Sequence, residues 1–129
     1  MTLGDYLNAP RPKWDWIAHD CSRWLDRWIV INGHPSPMAA TNVVYDSERS
    51  AIRAIVRGGG LVPLWQRGME AIGLMPVDAP EAGDAAILSV ETDDGMNRTC
   101  GIWTGLRWAS VHRRGLVCGV GDPLAIWRV

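Results

Sequence analysis

Phenylalanine is absent from this chain of 129 residues, lysine occurs once, and cysteine only three times. Each scarcity excludes something. Three cysteines, at 21, 100 and 118, are odd in number and too sparse for a secreted disulfide scaffold. No amino-terminal stretch reads as a secretory signal, so the expected setting is a reducing cytoplasm. No apolar run approaches the roughly 20 residues of a membrane span. The formal charge of −1 argues against a general nucleic-acid binder. Internal repeats and low-complexity tracts are also missing.

What is present fits a single domain spanning residues 1–129. Apolar residues make up 47% of the chain, enough for one core. Eight tryptophans supply the bulk, and each buried ring needs a partner for its N–H. Charge is uneven. Residues 76–97 carry six acids and no base, whereas residues 98–129 carry five arginines against Asp122. This reads as a solvated acidic loop before a half-exposed sheet, or as a surface matched to an assembly partner.

The first half of the chain has a helical period. "TLGDYLN" makes a short turn stopped by Pro10 and Pro12. From Asp20, the stripe Trp24, Leu25, Trp28, Ile29 and Ile31 predicts a helix ended by "NG" at 32–33. Asp20 caps it and leaves Cys21 in its first turn. "HPSP" reads as a turn, with His34 a cap or surface group. "DSERSAIRAIVRGGG" predicts a second helix with Ala51, Ile52, Ile55 and Val56 inward. "LVPLWQRGMEAIGL" predicts a third, weakened by Pro63 and Gly68. After Asp84 the period changes. "AAILSVET", "RTCGIWTG", "RWASVHRR", "LVCGV" and "LAIWRV" are short β-type runs. Helices first and strands second predict an α+β fold, with an antiparallel sheet against the first long helix.

Chemistry gathers at "HDCS", residues 19–22. A thiol in a first helical turn sits at the positive end of the macrodipole, which favours the thiolate. Free cysteine is also among the most buried residue types, so Cys21 stands open between reactive thiol and structural sulfur. Cys100 reads as strand packing, or as a site-lining thiol able to form a disulfide with Cys21 if their Cα atoms fall within about 7 Å. Cys118 reads as ordinary packing. Cys21, Cys100 and His112 are zinc-ligand types, but their spacing matches no closed site, and no metal or cofactor is expected. Trp24 and Trp28 could form a carbohydrate platform, but at helical spacing they read as core.

The order of motifs resembles the NlpC-type, papain-like cysteine peptidases of cell-wall peptides. "DCS" at 20–22 matches the start of their central helix, "AGD" at 82–84 the opening of their sheet, and "TCGIWTG" at 99–105 their base-bearing strand. The chain is also similar to a small family of tailed-phage and prophage proteins encoded beside tail genes. "DCSRW", "GHPSPMA", "VVY", "RGGG", "AGD", "IWTGLRWA" and "LAIWRV" carry that likeness. The resemblance implies a papain-like fold made in the host cytoplasm and assembled into a virion tail. Other tail or baseplate proteins would be its partners, and peptidoglycan a surface it meets.

One departure matters. Cys100 stands where the peptidases have their histidine base. A protonated thiol is a poor acceptor, and its ordinary pKa is about 8.5. The resemblance therefore implies a degenerate peptidase, a pseudoenzyme, lined by His19, Asp20, Ser22 and Cys100. His112, twelve residues after Cys100, falls at the family's orienting position. An active amidase or endopeptidase would use Cys21 as nucleophile and His112 as base. A third reading is a peptide binder that uses the cleft between helix and sheet.

Overall fold

The computed structural model describes residues 1–92, 95–119 and 121–129. The acids at 93 and 94 and the valine at 120, counted above in the acidic run and the fourth β-type run, lie outside the described residues. Five helices precede five strands: α1 Leu3–Asn8, α2 Cys21–Ile31, α3 Pro37–Ala40, α4 Glu48–Arg57, α5 Leu61–Ala71, β1 Ala85–Thr92, β2 Gly95–Trp103, β3 Trp108–His112, β4 Gly115–Cys118 and β5 Asp122–Trp127. The architecture is α+β. The strands form one antiparallel sheet in the order β4-β3-β2-β1-β5.

Helix α2 is the centre of the helical layer. Trp24, Leu25, Trp28 and Ile29 are buried against Ile87, Cys100, Ile102, Ala109 and Val111 of the sheet. Ile31, expected on the same stripe, is 42% exposed. The helix stops there, with Asn32 as C-cap and Gly33 at φ 91°. Tyr6 of α1 lies over α2. Its ring stacks on Trp24, with centroids 6.1 Å apart, and its hydroxyl donates to the Trp24 carbonyl. Burial of that hydroxyl pushes its pKa up to about 12. Trp28 Nε1 donates to the Gly83 carbonyl at 2.9 Å and ties α2 to the entry of the sheet. Not every tryptophan is satisfied as expected. Among the described residues, the buried Nε1 atoms of Trp14 and Trp24 find no hydrogen-bond partner.

The helix predicted at 46–60 forms as α4, capped by Ser47. Its expected apolar face is corrected. Ala51 is buried and Ile55 half-buried, but Ile52 is 54% and Val56 72% exposed. The helix packs on α5, and only the Ala51 and Ile55 edge of its apolar face is covered. Helix α5 tolerates Pro63 in its first turn, where an N–H has no intrahelical partner anyway. Gly68 is required by close packing, since a Cβ there would lie 3.0 Å from the Pro37 carbonyl oxygen. The "HPSP" turn leads into an unexpected short helix, α3. Ser36 caps it, and the Asp26 carboxylate accepts from Ser36 Oγ at 2.9 Å and from the Met38 N–H at 3.0 Å.

Strand β1 is buried on both faces from Ala85 to Leu88. Ala85 and Ile87 face the helices. Ala86 and Leu88 face a second cluster with Ile126 and Trp108, beside Trp103 and Val77. Asp84, just before it, is buried and accepts from the Glu81 N–H, Arg128 Nε and the Val129 N–H. The "GD" pair therefore locks the start of β1 to the end of the chain. Among the described residues, no helix is long and apolar enough to cross a membrane.

Candidate functional site around Cys21

Asp20 has the extended backbone of an N-cap, and its Oδ1 accepts from the Arg23 N–H at 2.9 Å. Cys21 follows as the first residue of α2, at the positive end of the helix. Asp20 is further held by the Arg23 guanidinium and by the Tyr45 hydroxyl, 2.7 Å from its Oδ2. Arg23 also lies over the Tyr45 ring, 4.1 Å from its centroid, and donates to the Tyr45 carbonyl. Burial, with the Asp20 carboxylate accepting its proton, pushes the Tyr45 hydroxyl far above its ordinary pKa. Every neighbour of the cap thus fixes the helix start.

Across from this start lies β2. Cys100 is fully buried, and its Sγ is 3.5 Å from Ser22 Oγ. Strands β2 and β3 pair at Ile102↔Ala109 and Trp103↔Trp108. Beyond those pairs Ser110 Oγ donates to the Cys100 carbonyl at 2.7 Å and meets Thr99 Oγ at 3.0 Å. The stretch carrying Cys100 and Thr99 is thus pinned facing Cys21.

The two thiols are unequal. Hydrogen bonding from the Cys100 thiol lowers the Cys21 pKa to about 7, against the pull of burial. The Cys100 backbone and Thr99 side chain add to the effect, and the Asp20 charge opposes it. Cys100 moves the other way. Burial, and then its role as donor to Cys21, hold it protonated well above the usual thiol range. Of the two thiols, Cys21 is the one that ionises first.

Cys21 is half-buried and opens onto a cavity of about 240 Å³. Its walls are largely apolar. They come from Trp14 and Trp16 before α2, Met38 of α3, Val43 and Tyr45, Ile55 of α4, and Leu61, Leu64 and Trp65 of α5. Asp20 and Ser22 line it as expected, and Arg98, Thr99, Val111 and His112 close the sheet side.

The remaining residues singled out in the sequence fall elsewhere. His112 is exposed at the end of β3. It borders the cavity, its Nδ1 accepts from the Arg114 N–H at 3.1 Å, and among the described residues no hydrogen bond joins it to Cys21. His19, expected beside the site, is buried outside the cavity. Its Nδ1 accepts from Arg27 at 2.8 Å, and burial and that guanidinium lower its pKa. Cys118 is exposed at the end of β4 rather than packed. Among the described residues no group of three or more histidine, cysteine or acidic side chains is placed to hold a metal ion. The zinc set of Cys21, Cys100 and His112 therefore does not assemble.

Sequence reasoning missed the roles of Arg23 and Tyr45. The i, i+3 spacing of Asp20 and Arg23 was a legible signal, since it stacks the two on one helix face. Tyr45 was marked only as the end of "VVY", and its role was hidden because its approach depends on the path of the α3–α4 connection.

Residues 2–129 match the model of a family described as a domain of unknown function (DUF6950). No curated protein and no solved structure matches the chain.

Proposed function

We propose that this chain, which belongs to that family of unknown function, is a tail-tip component of a phage or gene-transfer particle. In this reading it keeps a papain-like, NlpC-type fold and has lost peptidase turnover. One observation carries the loss of turnover: the side chain opposite the nucleophile position is the buried, protonated thiol of Cys100. A cysteine peptidase needs a group that takes the thiol proton, returns it to the leaving amine and then deprotonates water. A thiol whose pKa is raised holds its own proton at neutral pH, so it takes none from Cys21 and cannot begin that cycle. The helix start, the cavity and Cys21 remain without peptidase turnover. The tail assignment itself rests on the motif resemblance given above.

Two experiments test this reading. Purified sacculi incubated with the protein release no free amines. Particles lacking the chain fail to assemble or to adsorb, while particles carrying Cys21→Ala behave as wild type. Sacculus cleavage that disappears in Cys21→Ala would overturn the reading.

The bordering position of His112 supports a second reading, an active amidase or endopeptidase on stem peptides. It requires the His112 ring to leave the Arg114 N–H and reach Cys21. Amine release abolished in both Cys21→Ala and His112→Ala is its signature. The apolar cavity supports a third, in which the cleft holds a peptide from a neighbouring tail protein. Filling it with Ser22→Trp then releases that neighbour from a co-purified complex.

A further inference from the structure

We propose that Cys21 and Cys100 form a thiol–disulfide site that small disulfides of the glutathione type enter through the apolar cavity. The inference does not depend on the tail assignment or on any loss of peptidase activity.

The geometry separates two jobs. Cys21 is half-buried at the cavity wall, at a helix start, where an incoming sulfur can reach it. Cys100 is fully buried behind it, held beside Ser22 Oγ and against the Cys21 thiol. One sulfur is reachable and the other reaches only the first. That is the arrangement of an attacking and a resolving thiol. The lowered pKa of Cys21 and raised pKa of Cys100 support the same order of attack. The third thiol, Cys118, is exposed on β4 and stands outside the cavity lining.

The steps balance. The Cys21 proton is lost to water, and the thiolate attacks one sulfur of the small disulfide. That S–S bond breaks, a mixed disulfide forms on Cys21, and the departing small thiolate takes up the Cys100 proton. The Cys100 thiolate then attacks Cys21 Sγ. The mixed disulfide breaks, the Cys21–Cys100 bond forms, and the second small thiolate leaves and is protonated by water. Two electrons pass from the protein dithiol to the small disulfide, which becomes two thiols.

The test is oxidation by glutathione disulfide in a Cys118→Ser background, read by peptide mass under non-reducing conditions. The expected product is a crosslink between the peptides holding Cys21 and Cys100, with both sulfurs shielded from alkylation. Two variants give the order. Cys100→Ser accumulates a glutathione adduct on Cys21. Cys21→Ser leaves Cys100 at least tenfold less modified than that. Absence of the crosslink at full oxidation in the Cys118→Ser protein would overturn the proposal without recourse to either site variant. A Cys100 adduct forming as fast as the Cys21 adduct would overturn the assigned order.

Discussion

The Tyr45 hydroxyl donates to Asp20 Oδ2 at 2.7 Å, joining the segment between α3 and α4 to the residue that caps α2. Asp20 is buried and also holds Arg23, so this contact decides how firmly the helix start is seated. Replacing Tyr45 with Phe leaves the ring under Arg23 and removes one hydrogen bond to a charged group. We expect a loss of about 1.5–3 kcal/mol in urea unfolding. Asp20→Ala strips the cap as well, and we expect the larger effect. Equal effects would mean that Tyr45 contributes only through the cap.

Alkylation of Cys21 should follow its ionisation. With its pKa lowered to about 7, the native protein should reach half-maximal iodoacetamide rate at Cys21 near pH 7. In urea the same residue should titrate in the ordinary thiol range. The sign for stability follows. The folded state favours the Cys21 thiolate, so its contribution is full above the unfolded pKa and is lost as pH falls toward 7. Cys100 acts oppositely, because its raised pKa costs stability once the unfolded thiol ionises at alkaline pH. Removing Cys21 should flatten the rise in stability between pH 7 and 9. A rise that persists in Cys21→Ala belongs to another group.

Asp84 is buried at the carboxylate end of three donors, from Glu81, Arg128 and Val129. Asp84→Ala leaves all three without their acceptor at the entrance to β1. We expect a loss of about 3 kcal/mol, together with faster hydrogen exchange at the end of β5. Arg128→Ala should cost less, since Arg128 is partly exposed and two donors to Asp84 remain.

Gly101 illustrates close packing within the sheet. A Cβ there would lie 2.6 Å from Leu88 Cδ1 and 3.3 Å from the Ala109 carbonyl oxygen. Gly101→Ala should cost about 1–3 kcal/mol by overpacking. Leu88→Val shortens the offending side chain, so the double variant should lose less than the sum of the single losses. Simple additivity would show that the strain lies against Ala109 rather than Leu88.

Much of the fold could be read locally. "AAILSVET" became β1 residue for residue, and the Asp20 cap put Cys21 at the head of α2. These signals repeat within a few residues, so pattern alone recovers them. The outward turn of Ile52 and Val56 was hidden, since an apolar period does not say whether a neighbour occupies that side. The exposure of Cys118 was hidden for the same reason. The approach of Cys100 to the first turn of α2 was legible only as a guess. It joins residues far apart in sequence and is set by how β2 sits on α2, not by the residues around either thiol.

The strand order carries a consequence for how the chain behaves while it forms. Strand β1, apolar on both faces from Ala85 to Leu88, lies between β2 and β5. Until residues 122–127 dock, the side of β1 that they cover presents unpaired N–H and C=O groups beside a sticky strand. A nascent or truncated chain ending before β5 therefore carries a template for self-association. Strand β5 covers that edge, so a chain in which it has not docked should aggregate more readily.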